Sequence, residues 1–242
     1  MMGKVILSGI VPLLEYTAPI KGILASDLAI GSSVHLMENG VATEYLVVNQ
    51  GIPSNSFLYD ASCDGTWLLR KDCSDQMYVK TTPGWYENTL AHSYLNDTFF
   101  HSFGSIEQST IREVKIPYHS GTGASGLTTK VFLLSAYEIG VTNANITSLY
   151  EDGVKLDYFE SGGSTSACGK RIAKFNGSDV GWWVRSEGNS NYQHAAVDPA
   201  GDCYMLNNPM TGTWGSYCYR PAIVLPSNAR FDPDTLILKG VA

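Results

Sequence analysis

Ser186, His194 and Asp198 fall close together in the sequence. They are the residue types from which a nucleophile, a general base and an orienting acid are built. Nothing in their spacing fixes a geometry, so they do not define a hydrolase. The cysteines are Cys63, Cys73, Cys168, Cys203 and Cys218, an odd number with no CxxC pair. Neither a zinc knuckle nor a redox motif follows, and they read as small buried thiols. Cys203 and Cys218 could face each other across two strands. Gly121, Gly123 and Gly126 spell GxGxxG. A dinucleotide cradle needs a helix after the last glycine. The segment that follows, Thr128 to Ser135, is β-branched and apolar, so the glycines read as a loop.

Recognition is the chemistry the residues favour. From Gly181 to Pro226, Trp182-Trp183-Val184 and Ala222-Ile223-Val224-Leu225 frame a polar and aromatic stretch. Tyr192, Tyr204, Trp214, Tyr217 and Tyr219 offer large faces with few rotatable bonds. Asn189, Asn191, Asn207 and Asn208 supply adaptable donors and acceptors. His194 and Asp202 add charge-dependent contacts. This is the side-chain vocabulary of antibody loops, and these eleven residues are the expected ligand-binding set. Arg185 and Arg220 stand beside the apolar anchors, and with Trp182 and Trp183 they are expected to be structural. A guanidinium there ties loops to carboxylates or carbonyls through forked hydrogen bonds.

Composition limits the remaining classes. The 242 residues are 44% hydrophobic and 16% charged, with 24 Gly, 14 Tyr and 5 Trp. That fits one large domain rich in turns. The net charge of −7 comes without a basic patch, which argues against nucleic acid and anionic membranes as partners. The start, MMGKVILSGIVPLLEY, is apolar but broken by Gly9 and Pro12. Residues 1–30 are expected to dock to a particle or form an oligomer, not to direct export. No segment approaches the ~20 apolar residues of a spanning helix, so the expectation is a soluble protein made in a cytoplasm.

The elements that must position these residues are short. Residues 4–9 read as a strand. Ser33 to Asn49 alternates on either side of Asn39-Gly40, which predicts a hairpin with a type I′ turn. Asp64-Gly65 leads into a strand. Residues 85–100 place Leu90, Tyr94, Leu95, Thr98 and Phe99 near helical spacing. Ser105 and Gln108 form a capping-box pair for a second short helix, with a β-like run before Pro117. Residues 170–177 are expected to be a helical turn or two. About four short strands complete the framed region. Two early helices and a C-terminal multi-stranded antiparallel sheet predict an α+β fold.

DGTWLLR, YLNDTFF, SIEQSTIREVKI, KVFLLSAYEIG, GWWVRS and YRPAIVLP occur in that order. Over residues 31–226 the chain resembles a domain family common in phages and prophages of Gram-positive gut bacteria. Val184 stands where members usually carry Leu. The resemblance implies a C-type-lectin-like fold over residues 31–242, in the branch that includes formylglycine-generating enzymes and the variable proteins of diversity-generating retroelements. It implies a diversified ligand-binding surface within residues 181–226, since adenine mutagenesis turns Asn codons into the residue types found between Asn189 and Tyr219. The partner implied is a bacterial cell-surface protein or glycan, bound by a protein of the phage particle. A purely structural tail or capsid-decoration protein, contacting other virion proteins, is the alternative. Formylglycine-type oxidation through Cys203 and Cys218 is disfavoured, because the neighbouring residues do not match that active site. Calcium-dependent sugar binding is disfavoured too: Asn207-Asn208-Pro209 lacks the accompanying Trp-Asn-Asp strand, and Phe231 to Thr235 reads as a turn. The expectation is thus a binding protein without catalysis, metal or cofactor.

Overall fold

The computed structural model describes residues 20–54, 57–120, 123–124, 126–160, 169–209 and 217–241. Residues 1–19, with the expected strand at 4–9, lie outside them, as does Trp214. The fold is a β-rich α+β arrangement of several small sheets around one five-stranded sheet.

The first strand, β1 (Ile23–Leu24), pairs with a strand near the other end of the chain. The expected boundary at residue 30 therefore falls inside the fold. β2 (Ser33–Glu38) and β3 (Val41–Gln50) form the predicted hairpin. Asn39 (φ 49°) and Gly40 (φ 78°) both take positive φ, as a type I′ turn requires. β4 (Thr66–Arg70) follows the Asp64-Gly65 turn.

Helical structure is brief: α1 (Leu90–Tyr94), a π turn at Leu95–Phe99, α2 (Phe100–Ser102) and α3 (Ser105–Thr110). The buried stripe is Ala91, Leu95 and Phe99, spaced by four; Leu90 and Thr98 face solvent instead. The capping box at Ser105 does not form. Gly104 is the N-cap, and Gln108 Nε2 reaches back to the Phe103 carbonyl at 2.6 Å. The cap that does form is Thr89, whose Oγ1 accepts from the His92 N–H.

Three small pairings come next. β5 (Val114–Ile116) pairs with β8 (Leu127–Thr129), and β6 (His119–Ser120) with β7 (Gly123–Ala124). After β9 (Phe132–Leu133), residues 170–177 depart from the helical expectation. A 3-10 turn at Gly169–Arg171 leads into β10 (Ala173–Phe175), which turns at Asn176-Gly177 into β11 (Ser178–Val180). Both turn residues again have positive φ, 51° and 82°. This is a second Asn-Gly hairpin of the kind recognised at Asn39-Gly40.

The framed region supplies β12 (Trp182–Trp183), β13 (Gln193–Val197), β14 (Cys203–Asn207) and β15 (Pro221–Leu225). β16 (Ala229–Phe231) and β17 (Leu238–Val241) close the chain against β1. The central sheet runs β2-β3-β4-β15-β9, and a three-stranded sheet runs β12-β13-β14. Alternation along the central strands divides two cores. Leu68, Leu133, Ile223 and Leu225 enter one; Trp67, Leu69, Phe132, Ala222 and Val224 enter the other. The smaller sheet joins the same cores: Trp183, Ala196 and Leu206 on one side, Trp182, Ala195 and Cys203 on the other. Each indole N–H is satisfied, Trp182 by the Arg171 carbonyl at 2.7 Å and Trp183 by the Met77 carbonyl at 2.9 Å.

Candidate functional site

The framed stretch is rigid at its root. Arg185 is buried and donates to both Glu138 carboxylate oxygens, at 2.6 and 2.7 Å. It also reaches the carbonyls of Pro117, Leu133 and Asp152. One guanidinium thus ties four separate segments to β12. Arg220, equally buried, donates Nε–H to the Arg70 carbonyl and lies over the Trp182 ring at 5.2 Å.

The loop from Gly188 to Gln193 is held by its backbone. Buried Lys80 Nζ donates to Glu187 Oε1 at 2.8 Å, to the Asn191 carbonyl at 3.2 Å and to the Gln193 carbonyl at 3.3 Å. The Gly84 N–H adds a bond to the Asn191 carbonyl, and the Asn208 N–H one to the Tyr192 carbonyl. Glu187 Oε2 accepts from the Tyr86 N–H and the Tyr118 hydroxyl. Burial would raise the Glu187 carboxyl, but His194 and Lys80 hold it below the usual range. Burial pulls Lys80 down despite that partner.

These contacts sort the expected binding residues. Asn189, Asn207 and Asn208 are exposed, Tyr192 is 52% exposed, and Asn191 is half-buried. The Asn208–Tyr192 backbone bond and a 2.9 Å bond from Gln193 Nε2 to Asn207 Oδ1 bring the loop and the end of β14 together. Tyr204 and Tyr217 are half-buried, their hydroxyls 2.6 Å apart, with Tyr217 packed on Trp183. Asp202 is half-buried at the turn before β14.

Two of the expected residues do not face solvent. His194 is fully buried between Trp183 and Tyr86, its Nε2 2.7 Å from the Val184 carbonyl, and burial lowers its pKa. Tyr219 is fully buried, with its hydroxyl donating to the Tyr78 carbonyl. β13 is buried on both faces from His194 to Val197, and Tyr219, just before β15, packs on Tyr94; residue type alone reveals neither.

No triad forms from Ser186, His194 and Asp198. Ser186 Oγ donates to Asp152, His194 is committed to Val184, and Asp198 Oδ1 accepts from the N–H groups of Ala200 and Asp202. Cys203 and Cys218 do not face each other either. Cys203 lies opposite Val197, Val197 opposite Trp182, and Trp182 beside Cys218. That separates the two by three strand spacings, roughly 14 Å, too far for a disulfide. Asp232, in the turn after β16, accepts from Asp234 and Thr235 and pairs with Lys239. Among the described residues no group of three or more His, Cys, Asp or Glu is placed to hold a metal.

A groove of roughly 380 Å³ runs beside β14. Gln193, Tyr204, Met205 and Asn207 line it together with residues 145–148. Ser148 there has φ 76°, a costly conformation for a residue with a side chain. Lys80, Glu187, Gln193 and the 145–148 segment were not among the expected residues.

The class so defined is a β-rich α+β domain whose β13–β14 hairpin and preceding loop form an anchored, partly solvent-facing surface. Residues 64–227 match the family described as "Domain of unknown function (DUF6273)", and the chain belongs to that family. The match runs from the turn before β4 to just past β15, so β2 and β3, two strands of the central sheet, lie before it. Searches of curated proteins and of solved structures return no match.

Proposed function

We propose that this protein is a non-catalytic ligand-binding protein with a C-type-lectin-like fold. In this reading a phage or prophage encodes it, a bacterial cytoplasm makes it, and it serves on the particle by recognising a bacterial surface molecule. The binding face comprises Asn189, Asn191, Tyr192, Asn207 and Asn208, with Tyr204 at its edge. The observation that carries the reading is how the loop is held. Every bond from Lys80 and Gly84 to Asn191 and Gln193, and from Asn208 to Tyr192, engages a backbone carbonyl of the loop. Among the described residues no hydrogen bond engages the side chains of Asn189, Asn191 and Tyr192, so their identity can change while the backbone stays fixed. Preorganised backbone with free aromatic and amide side chains is the economy of an antibody loop.

Replacing Asn189, Asn191 and Tyr192 together by Ala tests it. The melting temperature should stay near that of the parent while labelled protein loses binding to the target bacterium. Unchanged binding by a folded variant would leave a purely structural part in the particle as the better account.

A further inference from the structure

We propose that His194 is an acid-operated release for the loop of residues 188–193: a proton taken up at its Nδ1 draws Glu187 away from Lys80, and Lys80 then gives up the two loop carbonyls it holds. The inference concerns the mobility of the loop and stands whether or not the loop binds a ligand.

The geometry fixes the tautomer. His194 Nε2 lies 2.7 Å from the Val184 carbonyl. A carbonyl oxygen only accepts, so Nε2 carries the hydrogen. In the neutral ring Nδ1 then holds a lone pair, and the atom across from it is Glu187 Oε1, 3.4 Å away. Both side chains are fully buried. An acceptor thus faces an acceptor, and Lys80 Nζ, 2.8 Å from the same oxygen, offsets the strain.

A proton at Nδ1 reverses this. The contact becomes a charge-assisted hydrogen bond. Oε1 then serves two cations, and imidazolium and ammonium repel each other where the dielectric is low. Glu187 Oε2 is taken by the Tyr86 N–H and the Tyr118 hydroxyl, so the carboxylate has no spare oxygen to turn toward Lys80. Lys80 is the partner able to yield, because its stem is flexible. Its bonds to the Asn191 and Gln193 carbonyls, at 3.2 and 3.3 Å, are the ones that hold the loop.

Trp183 and Tyr86 flank the His194 ring at 5.9 and 6.2 Å, and Leu206 lies opposite on β14. The titratable groups about it are Glu187, Lys80, Tyr86 and Tyr118. Burial raises both phenols, so they stay neutral in acid. Burial would raise Glu187 too, but His194 and Lys80 hold it below the usual range, so it keeps its charge. Burial lowers the His194 imidazole against the pull of Glu187, and Lys80 adds to the lowering. In an unfolded chain that ring titrates near ~6.5. Its contribution to stability is therefore full above about pH 6.5 and is lost as pH falls through the lower folded value. Release belongs to that acid range.

The test is a pH titration of the full chain by NMR. Ring nitrogen shifts follow Nδ1 of His194; His92, 5.5 Å from the Tyr86 ring, is followed separately. Amide protection, corrected for intrinsic exchange, is read at Gly84, Gln193 and Asn208, which donate to the carbonyls of Asn191, Ser190 and Tyr192. Protection there should fall about tenfold with the midpoint of the His194 ring, while Ala222 to Leu225 stay protected. A ring that charges with no loss of protection, a loss with a different midpoint, or a ring that stays neutral until the whole protein unfolds overturns the proposal. His194→Gln can still donate to Val184 but cannot charge, so its loop should keep its protection in acid. Loss of protection in the folded variant as in the parent overturns the proposal too. If the variant does not fold, the two midpoints of the parent decide.

Discussion

Lys80 Nζ lies 2.8 Å from Glu187 Oε1, with 1% and 0% of the two side chains exposed. A buried ion pair is not by itself stabilising, because desolvation offsets most of the Coulomb attraction. Here the remaining hydrogen-bonding capacity is used. Lys80 reaches three carbonyls and Glu187 takes a backbone N–H and a tyrosine hydroxyl. The pair therefore couples the segment of residues 80–86 to the loop that presents Asn189 to Tyr192.

Removing one partner strands the other charge in the core. Lys80→Met should cost about 3–5 kcal/mol, read as a lower urea midpoint. Lys80→Met with Glu187→Leu should recover part of that loss, since no buried charge remains. In both variants the amides of residues 189–193 should exchange faster, because the carbonyl clamps have gone. A single variant as stable as the parent would show the pair to be idle.

Gly181 sets the position of Tyr217. A Cβ at 181 would lie 2.6–2.8 Å from atoms of that ring. Gly181→Ala must displace Tyr217 from Trp183 and part its hydroxyl from that of Tyr204. Overpacking of this kind costs about 1–3 kcal/mol. Tyr204→Phe, which removes only the hydroxyl contact, should cost about 1 kcal/mol. Thermal melts of the two variants, run side by side, separate the steric effect from the hydrogen bond.

Asp152 gives stability a pH dependence. Burial pushes its carboxyl up to about 7, against the opposing pull of Arg185. In an unfolded chain the same group titrates near ~3.9. Between those values the folded protein holds a proton that the unfolded chain has released. The contribution of Asp152 is therefore lost as pH rises from about 4 to about 7, and is flat above that. Asp152→Asn keeps the shape without the titration. The difference in melting temperature, parent minus variant, should fall across this window; a difference that does not vary with pH would refute the assignment.

Much of the β framework was legible because glycine and asparagine punctuate it. Asn39-Gly40 and Asp64-Gly65 announced their turns through residues that accept positive φ or tight bends, and the two tryptophans and Ala222 to Leu225 announced a core. Asn176-Gly177 carried the same signal and was obscured by the helix-like spacing of Lys170 to Phe175. The exposed part of the candidate site was legible from residue type: Asn189, Tyr192, Asn207 and Asn208 do face solvent. His194 and Tyr219 were not, because what covers them comes from distant segments: Tyr86 lies against His194, and Tyr78 and Tyr94 enclose Tyr219. Lys80 and Glu187 were illegible for a related reason. They are 107 positions apart, and nothing local marks a lysine as one that will be buried.

The cysteines offer a test of the whole core. Burial raises the thiols of Cys63 and Cys203 to about 12. Cys218 is raised as well, first by the hydrogen bond with the neighbouring Cys73 and then by burial. Alkylation requires the thiolate and access to it, and both are denied here. At about pH 8, where a free cysteine is partly ionised, iodoacetamide should leave Cys63, Cys203 and Cys218 unmodified in the native protein and label all three in denaturant. Peptide mass spectrometry reads each site separately. Labelling of Cys203 at the rate of an unfolded peptide would mean that β14 leaves its sheet, and the anchored surface described above would lose its support.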